Sequence, residues 1–162
     1  MKGFVSYSHY DREICELLKL PLRAICRGFG IDEFWIDTNT TTGRCFRDGY
    51  SEAIDEASIF VLVISSNSIW SDEIMEHEIP KINIRAKSCD GLILPVVVDD
   101  CFWRLVVGTT LASPRDVNYN LRPIRKWRPM RDGINQAGLQ FADAIARHFG
   151  IKPKQLFDWS GS

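Results

Sequence analysis

The stretch "SIWSDEIMEHEIP", Ser68 to Pro80, packs four carboxylates into seven positions: Asp72, Glu73, Glu76 and Glu78. On a helical wheel at about 100° per residue, Met75, Ile79 and Ile82 recur at i, i+4 and i+7 and mark a buried stripe. Asp72, Glu73 and Glu76 lie away from its centre. Asp72 and Glu73 fall in the first turn, where acids complement the helix dipole and need no other role. Glu78 differs: it stands one turn after Ile74 and next to Ile79, so it borders the stripe. Glu76 and Glu78 are roughly 200° apart and cannot share one role. A carboxylate at the edge of a buried stripe can stabilise a developing positive charge, or it can be a solvated or capping group. The residues alone leave both readings open.

The elements that must position this stretch alternate between short apolar runs and helical patterns. "GFVSY" (Gly3–Tyr7) reads as a first strand. The segment "DREICELLKLPLRAICRGFG" follows, with Ile14, Leu17, Leu18, Leu22, Ile25 and Cys26 at helical spacing. Pro21 predicts a kink or an early stop, Gly28 and Gly30 an end. Ser8 and Asp11 have the spacing of a helix cap. "IDEFWID" (Ile31–Asp37) reads as a second strand, and "RCFRDGYSEAIDEA" as a helix with Phe46, Tyr50, Ile54 and Ala57 on one stripe. "SIFVLVIS" is a strand buried on both faces. The acidic stretch then starts a helix running to about Ala86. "GLILPVVV" is a fourth strand, in which Pro95 predicts an edge, a bulge or a bend. Residues 99–131 are irregular, and a last helix carries Ile134, Ala137, Phe141, Ile145 and Phe149 on one face.

Such alternation implies an α/β domain, a parallel sheet with helices on both faces. Ligands of these sheets bind beyond the carboxyl ends of the strands. Three segments converge there: "YSHYD", "DTNTTTGR" and "SNSIWSDE". Ser8 and His9 close the first strand, Trp35 and Asp37 the second. No Ser/Cys–His–acid arrangement is legible, so His9 is assigned no catalytic step.

Bulk properties exclude other classes. The 162 residues suit one domain, expected over 1–150 with 151–162 as a tail or linker. A formal net charge of −1 gives no field favouring nucleic acid or an anionic membrane. The basic group Arg122, Arg125, Lys126, Arg128 and Arg131 reads as a solvated loop, with only Trp127 interleaved. No apolar run is long enough to cross a bilayer, and the first residues do not read as a signal peptide. Five cysteines without a close CxxC pair read as reduced thiols, which points to a cytoplasmic setting.

In order and spacing, these segments resemble a bacterial Toll/interleukin-1 receptor (TIR) domain. The matching stretches are "FVSYSHYD", "FWIDTNTTTGRCFRDGYSEAIDEASIFVLVIS", "SDEIMEHEIP", "VVVDDCFW" and "RPIRKWRPMRDG", spanning about Gly3 to Phe149. The resemblance implies a flavodoxin-like fold with a five-stranded parallel sheet, and a variable loop at 38–43. Members are either association modules or enzymes that cleave NAD+ at the nicotinamide–ribose bond. In the enzymes a glutamate of the third helix is essential. Seven residues on from Ser71, that position is Glu78, with Glu76 the alternative if the register slips by two. The first strand here ends in "SYS" and the third in "ISS", which argues against the acidic pair and phospho-accepting Asp of a response regulator.

The implied chemistry needs a lone carboxylate. The nicotinamide ring nitrogen is already cationic, so the ring leaves neutral and no general acid is required. Positive charge then develops on the ribose, as in glycoside hydrolysis, and an anion beside it stabilises the transition state. Attack by water yields ADP-ribose, and attack by the adenine yields cyclic ADP-ribose. NAD+ is thus a substrate, and no cofactor or metal is expected. The resemblance also implies substrate-binding candidates. Arg47 matches a basic residue near the substrate, or is an exposed helix arginine. Trp35 stacks on a ring or fills the core. Gly43 serves backbone geometry. Ile74 stands where enzymatic members carry an aromatic ring, and Trp70 either replaces that surface or is core. Expected partners are NAD+, other TIR domains through self-association, and a fused or separate sensor or effector, within antiphage defence. No membrane or nucleic-acid partner is expected.

Overall fold

In the computed structural model the described residues are 1–37, 46–107, 114–115 and 121–154. Their frame is a parallel sheet of β1 (Lys2–Ser6), β2 (Glu33–Trp35), β3 (Ile59–Ile64) and β4 (Leu92–Val97), in the order β2-β1-β3-β4. The expected α/β architecture is therefore present. The strand count is four among the described residues, not five, and β2 is shorter than the expected span. Among the described residues β4 is an edge of this sheet, which is where a strand tolerates Pro95; the proline lies in register with Leu62 of β3.

Two-residue alternation along the strands feeds two cores. Val5, Val61, Val63 and Val96 face one side, against α1 (Arg12–Phe29) and α6 (Met130–Phe149). Phe4, Phe60, Leu62 and Ile64 face the other, against α2 (Phe46–Glu56) and α4 (Ile79–Cys89). On the first face the spacing of Ile14, Leu18, Leu22 and Ile25 aims one side of α1 inward. α6 answers with Ile134, Ala137, Phe141 and Ile145.

Pro21 neither kinks α1 to an early end nor stops it. The helix runs on to Phe29, and Gly30 ends it in the left-handed conformation at φ 68°. The ring is used as a packing surface instead: a Cβ on Gly138 of α6 would lie 2.7 Å from Pro21 Cβ. Close approach of the two helices offsets the hydrogen bond that proline removes. Gly28 lies inside the helix rather than ending it.

The single helix expected from the acidic stretch is interrupted at Ser71 and widens beyond it. α3 (Ser66–Trp70) is capped by a reciprocal Ser65–Ser68 box and ends at extended Ser71. A π-helix, Glu73–Glu78, follows, and α4 continues from it. The Ile79 N–H donates to the Ile74 carbonyl, five residues back. This wider turn corrects the expected stripe. Ile74, Ile79, Ile82 and Ala86 are buried and Met75 is only half-buried, because one extra residue per turn moves the register. α5 (Trp103–Val107) and a 3-10 turn, Ile124–Lys126, lie in the segment expected to be irregular.

Candidate functional site at the carboxyl end of β1

β1 is where strand order reverses, with β2 on one side and β3 on the other. The crevice beyond its carboxyl end is therefore the position at which open α/β sheets take ligands. Ser6 is the last residue of β1. Two-residue alternation from Phe4 turns its side chain to the α2/α4 face, where it is buried. Its Oγ donates to Glu78 Oε2 at 2.6 Å. Glu78 ends the π-helix, so the carboxylate reaches the sheet just where the helix backbone departs from α geometry. Such local widening of helices recurs at functional sites.

Burial pushes the Glu78 carboxyl up to about 7; the Ser6 hydrogen bond works the other way, and the negative charges of Glu73 and Asp37 add to the rise. A carboxyl raised by burial at the switch point of the sheet has a physical profile shared by functional acids. Glu76, the alternative position, is exposed, as are Asp72 and His77. The geometry thus separates Glu78 from its neighbours, as the wheel did.

The other sequence-derived candidates divide. Asp37 is half-buried, its carboxylate near enough to act on Glu78 and its carbonyl accepting from Tyr7 Oη. Trp35 stacks on Phe4, with ring centroids 5.2 Å apart, and packs against the α2/α4 core. Ser8 is buried and accepts from the Tyr10 N–H at 3.4 Å, a cap on the turn after β1. His9 is exposed, its ring 4.1 Å from Tyr10. Ser71 Oγ accepts from the Ile74 N–H at 3.4 Å, so it caps the π-helix that carries Glu78. Ile74 is buried and offers no stacking surface, while Trp70 is 88% exposed and is not core. Gly43 and the side chain of Arg47 lie outside the described residues; the Arg47 backbone belongs to α2.

Three participants escaped the sequence reading. Ser6 was signalled only by its parity with Phe4 in a strand ending at the switch point. Glu73 read as a dipole acid, yet it accepts from Tyr50 Oη at 2.7 Å. Tyr50 read as one member of an apolar stripe, and its hydroxyl does more than that stripe requires.

The basic group of the later chain is tied into the fold. Arg125 approaches Asp11 at 3.5 Å and Glu13 at 3.7 Å, Lys126 pairs with Asp100 at 2.6 Å, and Arg122 lies over Trp127. A groove of about 510 Å3 between α4 and β4, lined by Leu62, Ile79, Asn83, Ala86 and Pro95 among others, does not include Glu78. Among the described residues there is no cluster of metal-ligating side chains, and no helix is long and apolar enough to cross a membrane.

The chain is 28% identical over 148 residues to "Uncharacterized protein y4lF" of Sinorhizobium fredii (strain NBRC 101917 / NGR234). The match covers 91% of this chain and 43% of that protein, so the chain spans less than half of its relative's length. The family model described as "TIR domain" matches residues 4–127, from β1 through the Arg125 turn, and the chain belongs to the TIR domain family.

Proposed function

We propose that this TIR domain cleaves NAD+ at the nicotinamide–ribose bond, with Glu78 as its catalytic residue. The observation that carries this reading is a desolvated carboxylate, fixed by Ser6, at the switch point of the sheet. In the reaction the C–N bond breaks, its electron pair leaves with the neutral nicotinamide, and the ribose carbon becomes cationic. Ionised Glu78 stabilises that charge from a position that Ser6 holds. Water then adds to the carbon and loses its proton, giving ADP-ribose; the adenine of the same molecule is the competing nucleophile.

Nicotinamide release by purified protein tests the reading, with Glu78→Gln and Glu76→Ala beside the wild type. The expected loss in Glu78→Gln is about 10²–10³-fold, with Glu76→Ala active. Turnover that survives in Glu78→Gln and fails in Glu76→Ala would overturn the assignment. A role in antiphage defence adds that phage plating efficiency responds to Glu78→Gln in the native host.

A second reading is a non-catalytic association module. It is favoured by the exposure of Trp70 (88%), Leu105 (86%) and Phe102 (79%), apolar side chains that a partner would cover. NAD+ consumption measured across a range of protein concentrations separates the two. Silence at every concentration, including under conditions that promote oligomers, supports the association module.

A further inference from the structure

Glu73 and Glu78 are the first and last residues of the π-helix. Five residues apart in an α-helix they would diverge by about 140°. Here the Ile79–Ile74 hydrogen bond closes a turn over five residues, which brings positions five apart to the same side. Each carboxylate is held by one hydroxyl from a different element: Glu73 by Tyr50 of α2 at 2.7 Å, Glu78 by Ser6 of β1 at 2.6 Å. The Glu73 charge acts directly on Glu78, as does that of Asp37 from the end of β2. Among the described residues neither glutamate forms an ion pair. Among the described residues no cation pairs with either half-buried carboxylate on this side of the turn, and the Glu73 charge opposes ionisation of Glu78. A cationic ligand relieves that opposition.

We propose that Glu73, clamped by Tyr50, is a specificity-determining residue: with Glu78 it forms a paired anionic wall that selects a ligand with a cationic ring nitrogen, oxidised nicotinamide dinucleotide, over the neutral reduced form. This rests on the reading of Glu78 as the group facing the nicotinamide ribose. Tyr50 acts through Glu73 and is a positioning residue. The dihydronicotinamide ring of NADH has the same size and carboxamide as that of NAD+, so charge is the main property on which such a wall discriminates.

Two readouts test the pair, and neither needs turnover. Carboxyl NMR follows the titration of Glu78 in the wild type, Glu73→Gln and Tyr50→Phe. Competition binding measures the preference for NAD+ over NADH in the same three proteins. Among the described residues the groups acting on Glu78 are Glu73 and Asp37, with Ser6 as its hydroxyl donor, so Glu73→Gln removes one of these two negative neighbours. The Glu78 midpoint is expected to fall, and the preference for NAD+ to drop roughly tenfold, the Coulombic effect of one charge across about 10 Å. Tyr50→Phe keeps the ring and frees the carboxylate, and moves both readouts the same way by less. An unmoved Glu78 midpoint in Glu73→Gln overturns the shared wall. A moved midpoint with an unchanged NAD+/NADH preference overturns the specificity role. A moved midpoint in a protein that binds neither nucleotide leaves the carboxylate pair standing and overturns the nicotinamide reading beneath it.

Discussion

Asp11 and Glu78 are both desolvated acids near the carboxyl end of β1, and they are provided for in opposite ways. Asp11 is fully buried and accepts from Ser65 Oγ and, at 3.0 Å, from Asn67 Nδ2, with the Arg125 guanidinium at 3.5 Å. Glu78 has one hydroxyl donor and faces two other carboxylates. The first acid is surrounded by donors and a cation, and it ties the turn after β1 to the end of β3 and to the Arg125 turn. Among the described residues the second has no cation paired with it. Burial alone therefore does not distinguish the two acids, and the sign of the surroundings does.

The largest expected difference between the two acids is in activity. Glu78→Gln should reduce nicotinamide release by about 10²–10³-fold while the protein stays folded, since Ser6 can still donate to the amide oxygen. Asp11→Ala should do the reverse. It strips the acceptor from Ser65 and Asn67 and the counter-charge from Arg125, a loss of about 3 kcal/mol in stability. Urea unfolding at pH 7 measures it. Asp11→Ala of wild-type stability would mean that the donors find other acceptors, and the contrast would fail.

The pH dependence sharpens the contrast from the Glu78 side. Its carboxyl sits at about 7 in the folded protein, against 4.5 for an unperturbed glutamate. Between those values the folded state binds the proton that the unfolded chain has released. The stabilisation is thus fully present below about 4.5 and is lost as pH rises through about 7. The size is on the order of 3 kcal/mol, at about 1.4 kcal/mol per unit. Glu78→Gln lacks this slope, so its melting temperature should exceed that of the wild type at pH 8 and converge with it at pH 5. Activity should climb over the window in which stability falls, as Glu78 sheds its proton. Parallel pH profiles for wild type and Glu78→Gln would show that Glu78 is not the titrating group.

Much of this frame was legible because it follows from pattern. The apolar runs located β1, β3 and β4, and strand–helix alternation made the sheet parallel. The bordering position of Glu78 followed from its distance to Ile74 and Ile79. What escaped depends on backbone register or on tertiary contact. Nothing in "DEIMEHE" announces a π-turn, since α and π helices draw on the same residues. The wheel therefore named Met75 where Ile74 is buried, and it set Glu73 apart from Glu78. Pro21 was read by its local effect on α1, while the structure uses it against Gly138, some hundred residues away. Trp70 shows the limit from the other direction: a tryptophan one turn from a buried isoleucine has no local feature that says whether it is core, and only the packing reveals it as exposed.

The smallest expected effect comes from the two serines that serve these acids. Ser65 donates to Asp11 and also caps α3, accepting from the Ser68 N–H at 3.0 Å. Ser65→Ala should cost about 1–2 kcal/mol in stability, as cap substitutions do, with NAD+ cleavage unchanged. Ser6 donates only to Glu78 among the described contacts, and its bond favours the ionised carboxylate. Ser6→Ala removes about 1 kcal/mol of that preference, so the Glu78 midpoint should rise further above 7 and the activity profile should shift to higher pH with it. Loss of stability alone cannot mimic such a displacement, because it lowers the whole profile without moving its midpoint. A profile that drops in place would assign Ser6 to packing, and would leave Glu78 without the hydroxyl that this geometry gives it.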